Sequence, residues 1–243
     1  MTETRSEHEI VHGRYLASND TEAIWGWGTP AGQLRALRRA KLIREGANLG
    51  PGSLALEIGC GTGLFTQMFA ETGAKIIAVD ISPDLLEKAR KRQITGGNVQ
   101  FLEKRFEDCD VDGPFDAIIG SSILHHLDFE AAITKIFSLL KPGGVMSFAE
   151  PNMRNPQVFA ERHFRKFFPY TSPDETAFIR TKLAQDLEKA GFQEISIIPY
   201  DWLHPSSPKA LIPVVKSLGN LLEKIPLLRE FAGSLYIKAN RPA

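Results

Sequence analysis

The sequence predicts an α/β fold built on a seven-stranded, mostly parallel sheet with helices on both faces. Three observations carry that expectation. Short β-type runs alternate with helix-type runs from Ser53 to about Phe148, a glycine-rich bend follows the first of those runs, and two more strand-like runs come after position 190.

The strand-like runs are Leu54–Ile58, Ile76–Asp80, Val99–Leu102, Phe115–Gly120 and Val145–Glu150, then Ile195–Pro199 and Ser234–Lys238. Helix starts are marked chemically. Ser82 before Pro83 places a capping hydroxyl ahead of a proline at the first helical position. Ser172-Pro173-Asp174-Glu175 reads as a capping box opening a helix that ends at Gly191. Residues 1–48 read as a helical N-terminal cap broken by the loop from Trp25 to Pro30, and residues 49–243 as the main domain. Within that domain, residues 202–233 form a Pro- and Leu-rich insert before the last strand, read as a lid.

Composition narrows the function. In 243 residues, 29 Lys and Arg balance 29 Asp and Glu, so no net field draws the chain to a polyanion. That weighs against nucleic acid as a partner. The two cysteines, Cys60 and Cys109, show neither disulfide nor metal-ligand spacing, so no metal is expected. The polar stretch Met1–Ile10 has no apolar h-region, and no apolar run is long enough for a membrane span. A cytoplasmic protein is expected.

The bend itself is Leu56-Glu57-Ile58-Gly59-Cys60-Gly61-Thr62-Gly63, at the carboxyl end of the first strand. Open α/β sheets bind ligands at that edge. Glycine there lets the backbone turn sharply and lets a ligand approach without meeting a Cβ. A dinucleotide fingerprint needs its third glycine at the sixth position, where Leu64 stands, and the Gly-Lys-Ser/Thr of a P-loop is absent. S-adenosylmethionine (SAM) has no phosphate and needs close backbone approach rather than an anion cradle, so the bend suits it better. Asp80 ends the second strand at the same edge, where a carboxylate can accept hydrogen bonds from two ribose hydroxyls.

These features resemble the class I SAM-dependent methyltransferases, and more closely their small-molecule branch. Five pieces carry the resemblance in order: Glu57 to Gly63, Asp80-Ile81-Ser82, Asn98 to Phe101, Phe115 to Ile119 leading to Leu124-His125-His126-Leu127, and Leu140 to Gly144. They cover about residues 50–150. The resemblance implies a Rossmann-like sheet whose last strand is antiparallel, with SAM as methyl donor and S-adenosylhomocysteine as product. It places Glu57, Gly59, Gly61 and Gly63 along the methionine and ribose of SAM, Asp80 on the ribose hydroxyls and Ile81 against adenine. Arg105 occupies the position where the family usually has an acid for the adenine amino group, leaving Phe106 and Glu107 as the adenine contacts. Ser121 would border the methionine moiety by its backbone.

Methyl transfer asks the protein to align acceptor and methyl carbon and to exclude water, an alignment worth roughly 7–11 kcal/mol of barrier. A general base is needed only where the acceptor must lose a proton. His125 and His126 follow the fourth strand, and neighbours there do not both face one ligand. His126 aligns with a histidine that acts near the acceptor in some members of the family, and it is the candidate base; packing is its other reading. Glu150 ends the fifth strand and has two readings, orienting an acceptor or capping the next turn. Tyr15, Trp25 and Trp27 either close over the ligands or simply pack.

Two stretches remain. Arg35, Arg38, Arg39, Lys41 and Arg44 crowd one helix and read as a solvated basic face, with attraction to an anionic substrate or membrane as the other reading. Leu211 to Phe231 is strongly apolar and reads as a lid, which tilts the acceptor toward a hydrophobic small molecule; peripheral membrane contact is the alternative. The function expected is transfer of a methyl group from SAM to a small-molecule acceptor. A SAM-binding protein without transfer activity and an NAD-dependent oxidoreductase are the competing readings.

Overall fold

The computed structural model describes residues 5–164, 166 and 176–243. Seven strands form one sheet: β1 (Leu54–Ile58), β2 (Lys75–Asp80), β3 (Asn98–Glu103), β4 (Phe115–Ser121), β5 (Leu140–Pro151), β6 (Gln193–Tyr200) and β7 (Ser234–Asn240). Their order is β3-β2-β1-β4-β5-β7-β6. The first five strands pair in parallel, and β7 runs antiparallel to both neighbours. The order reverses beside β1, which brings the ends of β1, β2 and β4 to one edge, the place where such sheets bind ligands.

The central strands are apolar runs because both faces are covered. On one face Leu56, Val79, Ile118 and Phe148 pack with α6 (Phe129–Leu139) and α8 (Arg180–Lys189). On the other, Ala55, Ile76, Ala78 and Ile119 pack with α3 (Pro30–Gly46), α4 (Leu64–Ala70) and α5 (Pro83–Lys91). Small residues on that second face let α3 come close through Ala36, Ala40 and Ile43. Truncating a fully buried ring such as Phe148 to alanine would cost about 3–5 kcal/mol.

Capping chemistry fixes the helix starts that matter for the site. Ser82 Oγ accepts from Leu85 N at 3.3 Å to open α5, and Asp128 accepts from Ala131 N to open α6. Thr29 does the same for α3, with Pro30 in its first turn. The expected box at 172–175 lies outside the described residues. The helix that stops before Gly191 opens at Arg180, and its N-cap, Ile179, supplies no side-chain bond.

The N-terminal segment holds α1 (Arg5–Ala17), α2 (Thr21–Ile24) and α3. The three do not behave alike. Helix α3 lies on the sheet face and belongs to the core, whereas α1 crosses the edge of the sheet and seats Gly13 on Ser82, where a Cβ would stand 2.5 Å from Oγ. The basic face is solvated only in part: Lys41 is exposed and Arg44 half-exposed, but the three arginines before them are engaged. Arg35 pairs with Asp201 at 2.7 Å, Arg38 with Glu223 at 2.5 Å, and Arg39 is buried, while Leu34 and Leu37 face outward. The insert forms α9 (Ile212–Leu222) and α10 (Pro226–Arg229). Residues of α7 (Pro156–His163) lie across the same end of the sheet. No helix among the described residues is long and apolar enough to cross a membrane.

Candidate functional site

Register brings the glycine bend and Asp80 together, since Ile58, the last residue of β1, pairs with Val79, one residue before the end of β2. Asp80 Oδ2 accepts from Gly61 N at 2.7 Å and Oδ1 from Ser82 N at 2.9 Å, which fixes its carboxylate at the edge. Burial, the largest influence, pushes the Asp80 carboxyl above its usual range, and the two backbone bonds oppose that. Around these residues lies a cavity of about 380 Å3, within the range of cofactor sites, roughly 300–1,000 Å3. Gly59, Gly61, Asp80, Ile81, Phe106, Glu107 and Ser121 all line it. Helix α1 covers it with Arg5, Ser6, Glu9 and His12, and Trp25 and Trp27 close one side.

Gly59 and Gly61 have φ of 67° and 52°, the left-handed region that glycine adopts at least cost. A Cβ on Gly59 would fall 2.4 Å from Ile123, and one on Gly61 would reach Trp25 at 3.0 Å. Gly63 does not line the cavity; it caps α4 and faces Ala89 and Phe101. Glu57 lies behind the bend, buried, and its Oε2 has no hydrogen-bond partner among the described residues. Desolvation pushes its carboxyl up to about 8. Arg105 pairs with Glu107 at 3.3 Å and with Asp108 at 3.1 Å, so the adenine-side acid is already matched by a cation.

A second cavity, of about 520 Å3, abuts the first. His12, Trp25, Trp27, Ser122 and His126 line both. Its remaining wall comes from Arg35 and Arg39 of α3, Asn155, Gln157 and Glu161 around α7, and Asp201 to Ser206 of the insert. Ser122 and Asp201, both on this wall, hold φ of 56° and 75°, conformations that non-glycine residues adopt at a cost and that cluster at functional sites.

His126 stands on the wall common to the two cavities, and its Nδ1 is 3.1 Å from Glu9 Oε2. His125 is buried and borders only the second cavity, with Nδ1 2.6 Å from Glu150 Oε2. Glu150 lines neither cavity. Its Oε1 accepts from Ile123 N and Leu124 N, both at 2.9 Å, so the carboxylate is spent on the turn after β4. Burial alone would raise the Glu150 carboxyl, but the bonds from His125 and the two N–H groups hold it below the usual carboxylate range.

Sequence reasoning missed Arg39. It is 3% exposed and has no carboxylate partner among the described residues. Its Nη1 donates to Ser122 Oγ at 2.5 Å and more weakly to Ser121 Oγ, and Nη2 donates to Ser234 Oγ at 2.8 Å. The guanidinium also stands over the Trp27 ring at 5.2 Å. A buried cation matched only by neutral groups is costly unless an anion joins it.

A family model described as a methyltransferase domain matches residues 55–144. A ubiquinone biosynthesis O-methyltransferase of Xanthomonas axonopodis pv. citri is 33% identical over 180 residues, covering 70% of this chain and 75% of that protein. The chain belongs to the class I SAM-dependent methyltransferases. A malonyl-[acyl-carrier protein] O-methyltransferase of Serratia marcescens is 27% identical to this methyltransferase over 201 residues, 78% of this chain and 77% of the other. The crystal structure of the N-methyltransferase NodS of Bradyrhizobium japonicum WM9 with S-adenosylhomocysteine shares the fold, at a TM-score of 0.66 and 17% identity over 96% of this chain and 98% of that one. The enzyme therefore uses SAM as methyl donor and acts on a small molecule. Its glycine bend fits that donor, because Gly59 and Gly61 line the cavity with bare backbone beside a carboxylate fixed by Gly61 N and Ser82 N.

Proposed function

We propose that the enzyme holds SAM in the cavity under α1 and a hydroxyl-bearing acceptor in the adjoining one, with His126 as general base. The observation that carries this reading is the placement of His126 on the shared wall, with the Glu9 carboxylate 3.1 Å from its Nδ1. When bound, SAM supplies an activated methyl group on a sulfonium. The chain's own residues then position and deprotonate.

Asp80 accepts from the ribose hydroxyls, Ile81 and Phe106 flank adenine, and Glu107 takes its amino group. Gly59, Gly61 and the Ser121 backbone run along the methionine portion. Arg39 lines the second cavity rather than the first, but its bonds to Ser121 and Ser122 put it at the boundary of the two, where it binds the methionine carboxylate, and Glu57 sits behind its ammonium end. Glu9 holds His126 by Nδ1, so that Nε2 takes the acceptor proton as the oxygen attacks. Glu150 sets the turn that carries His126 and, away from both cavities, does not touch the acceptor, while His125 ties that carboxylate to the wall of the second cavity.

The acceptor's character follows from the second cavity. Its wall mixes Trp27 and Trp202 with Arg35, Asp201, Gln157 and His204, which suits a ring bearing polar substituents. The leucines of α9 do not reach this wall, so the insert shapes it through Trp202 to Ser206 instead. The two similar enzymes that carry O-methyltransferase names support oxygen as the methylated atom. Free, buried Cys60 and Cys109 suit a reducing cytoplasm. Incubating the enzyme with labelled SAM and an extract of small metabolites, followed by mass spectrometry, tests the reading. Label is expected on a hydroxylated compound with wild type and not with His126→Ala; transfer to amines alone, or none to any small molecule, contradicts it.

A further inference from the structure

Outside the two cavities, the outer face of the insert exposes apolar side chains at an unusual density. Leu211, Val214, Leu218 and Leu221 are each more than half exposed, Leu227 is 80% exposed, and Phe231 is 46% exposed. Steps of three and four residues line up the first four along one side of α9. The opposite side seats Ile212 and Gly219 inward, with Gly219 against Trp202, so the helix is anchored and its apolar stripe is left in water. Patches of this kind mark interaction surfaces.

Charge identifies what lies against it. Lys209, Lys216, Lys224 and Arg229 have no ion pair among the described residues. The two acids of the segment are both used elsewhere: Glu223 by Arg38, and Glu230 by Arg154 and Arg180. The segment thus presents apolar groups and free cations, with its acids neutralised. Under two-fold symmetry a second copy would bring the same cations to the seam with no free acid to meet them, which disfavours self-pairing. An anionic lipid surface complements both features.

We propose that the segment from Lys209 to Phe231 docks on an anionic phospholipid bilayer. Helix α9 lies in the headgroup plane, its stripe enters the acyl boundary, and the exposed Lys209, Lys216 and Lys224 meet lipid phosphates. The insert also supplies Trp202 to Ser206 and Gly233 to the second cavity, so docking fixes that cavity relative to the bilayer. This inference stands independently of the roles assigned to His126 and Arg39.

Vesicle flotation tests it, using phosphatidylcholine alone or mixed with phosphatidylglycerol, on the full chain. The wild type is expected to float with the mixed vesicles, less so at high salt, and not with phosphatidylcholine alone. Leu218→Glu with Leu221→Glu, and separately Lys216→Glu with Lys224→Glu, should each weaken that binding about tenfold or more. All four positions are exposed, so affinity for S-adenosylhomocysteine should stay at the wild-type value and report an intact fold. A chain that ignores both vesicle types overturns the proposal. So does a dimer, seen by light scattering, that Leu218→Glu with Leu221→Glu dissolves, since a second copy would then occupy the face.

Discussion

Glu9 Oε2 on α1 lies 3.1 Å from Nδ1 of His126, so the helix that covers the donor cavity also touches the proposed base. The same helix reaches the neighbouring residue, Arg5 donating to the His125 carbonyl at 2.8 Å. On the proposed reading, covering the donor and orienting the base are tasks of one element. Removing the base should cost about 10²–10⁴-fold in methyl transfer. Glu9→Gln should cost roughly tenfold, and the double variant should be no slower than His126→Ala alone, because the two residues act as a unit. Release of S-adenosylhomocysteine in the presence of metabolite extract reads all three. Additive losses would show that Glu9 acts on something other than His126.

Asp80 gives the sharpest test of donor binding. Asp80→Asn keeps the shape but removes the charge on two ribose hydrogen bonds, and should weaken affinity for S-adenosylhomocysteine by about 10–100-fold, or roughly 1.5–3 kcal/mol. Titration calorimetry measures this directly. Unchanged affinity would place the ribose elsewhere.

Arg39 is tested by altering the ligand rather than the protein. Decarboxylated SAM lacks the group that Arg39 is assigned to bind. Wild type should prefer SAM over it by about tenfold or more, as for a charge-assisted pair, and Arg39→Met should erase most of the preference. If the variant keeps the preference, the carboxylate has another partner, and Arg39 only ties Ser121, Ser122 and Ser234 together.

Glu57 predicts a pH dependence of stability in the absence of ligand. Its carboxyl titrates near 8 in the folded chain, against an ordinary value of 4.5. Between those values the native state keeps a proton that the unfolded chain has released, so the unfolded state binds fewer protons and stability falls as pH rises. Asp80, also pushed up by burial, adds in the same direction. Thermal melts should show wild type losing stability from about pH 5 to 8, and Glu57→Gln losing less and melting higher than wild type at the alkaline end. Equal slopes for the two proteins would mean that Glu57 is ionised in the native state.

The sheet was legible because strands buried on both faces are continuous apolar runs, as in Ile76–Val79, and because Ser82-Pro83 marks a helix start chemically. Strand ends in a parallel sheet share one edge, which brings Gly59, Gly61, Asp80 and Ser121 to one cavity, whereas Glu57 and Gly63, expected beside them, stay outside its lining. Arg39 and Glu150 were not. Whether a helix turns its arginines inward depends on acids far along the chain, here Asp201 and Glu223, 166 and 185 residues from Arg35 and Arg38. The direction of Glu150 depends on the left-handed turn at Ser122, which presents the N–H groups of Ile123 and Leu124 to it. The apolar insert misled in a similar way. Its periodicity shows that leucines share a side of α9, but only the packing of Gly219 on Trp202 decides that the side faces out.

The most direct measurement is a crystal structure of the chain grown with S-adenosylhomocysteine. The account predicts the ribose on Asp80, adenine between Ile81 and Phe106, the methionine carboxylate within hydrogen-bond distance of Arg39, and the sulfur turned toward His126. Ligand bound elsewhere, or with its amino acid end pointing away from Arg39 and its sulfur away from the second cavity, would contradict it.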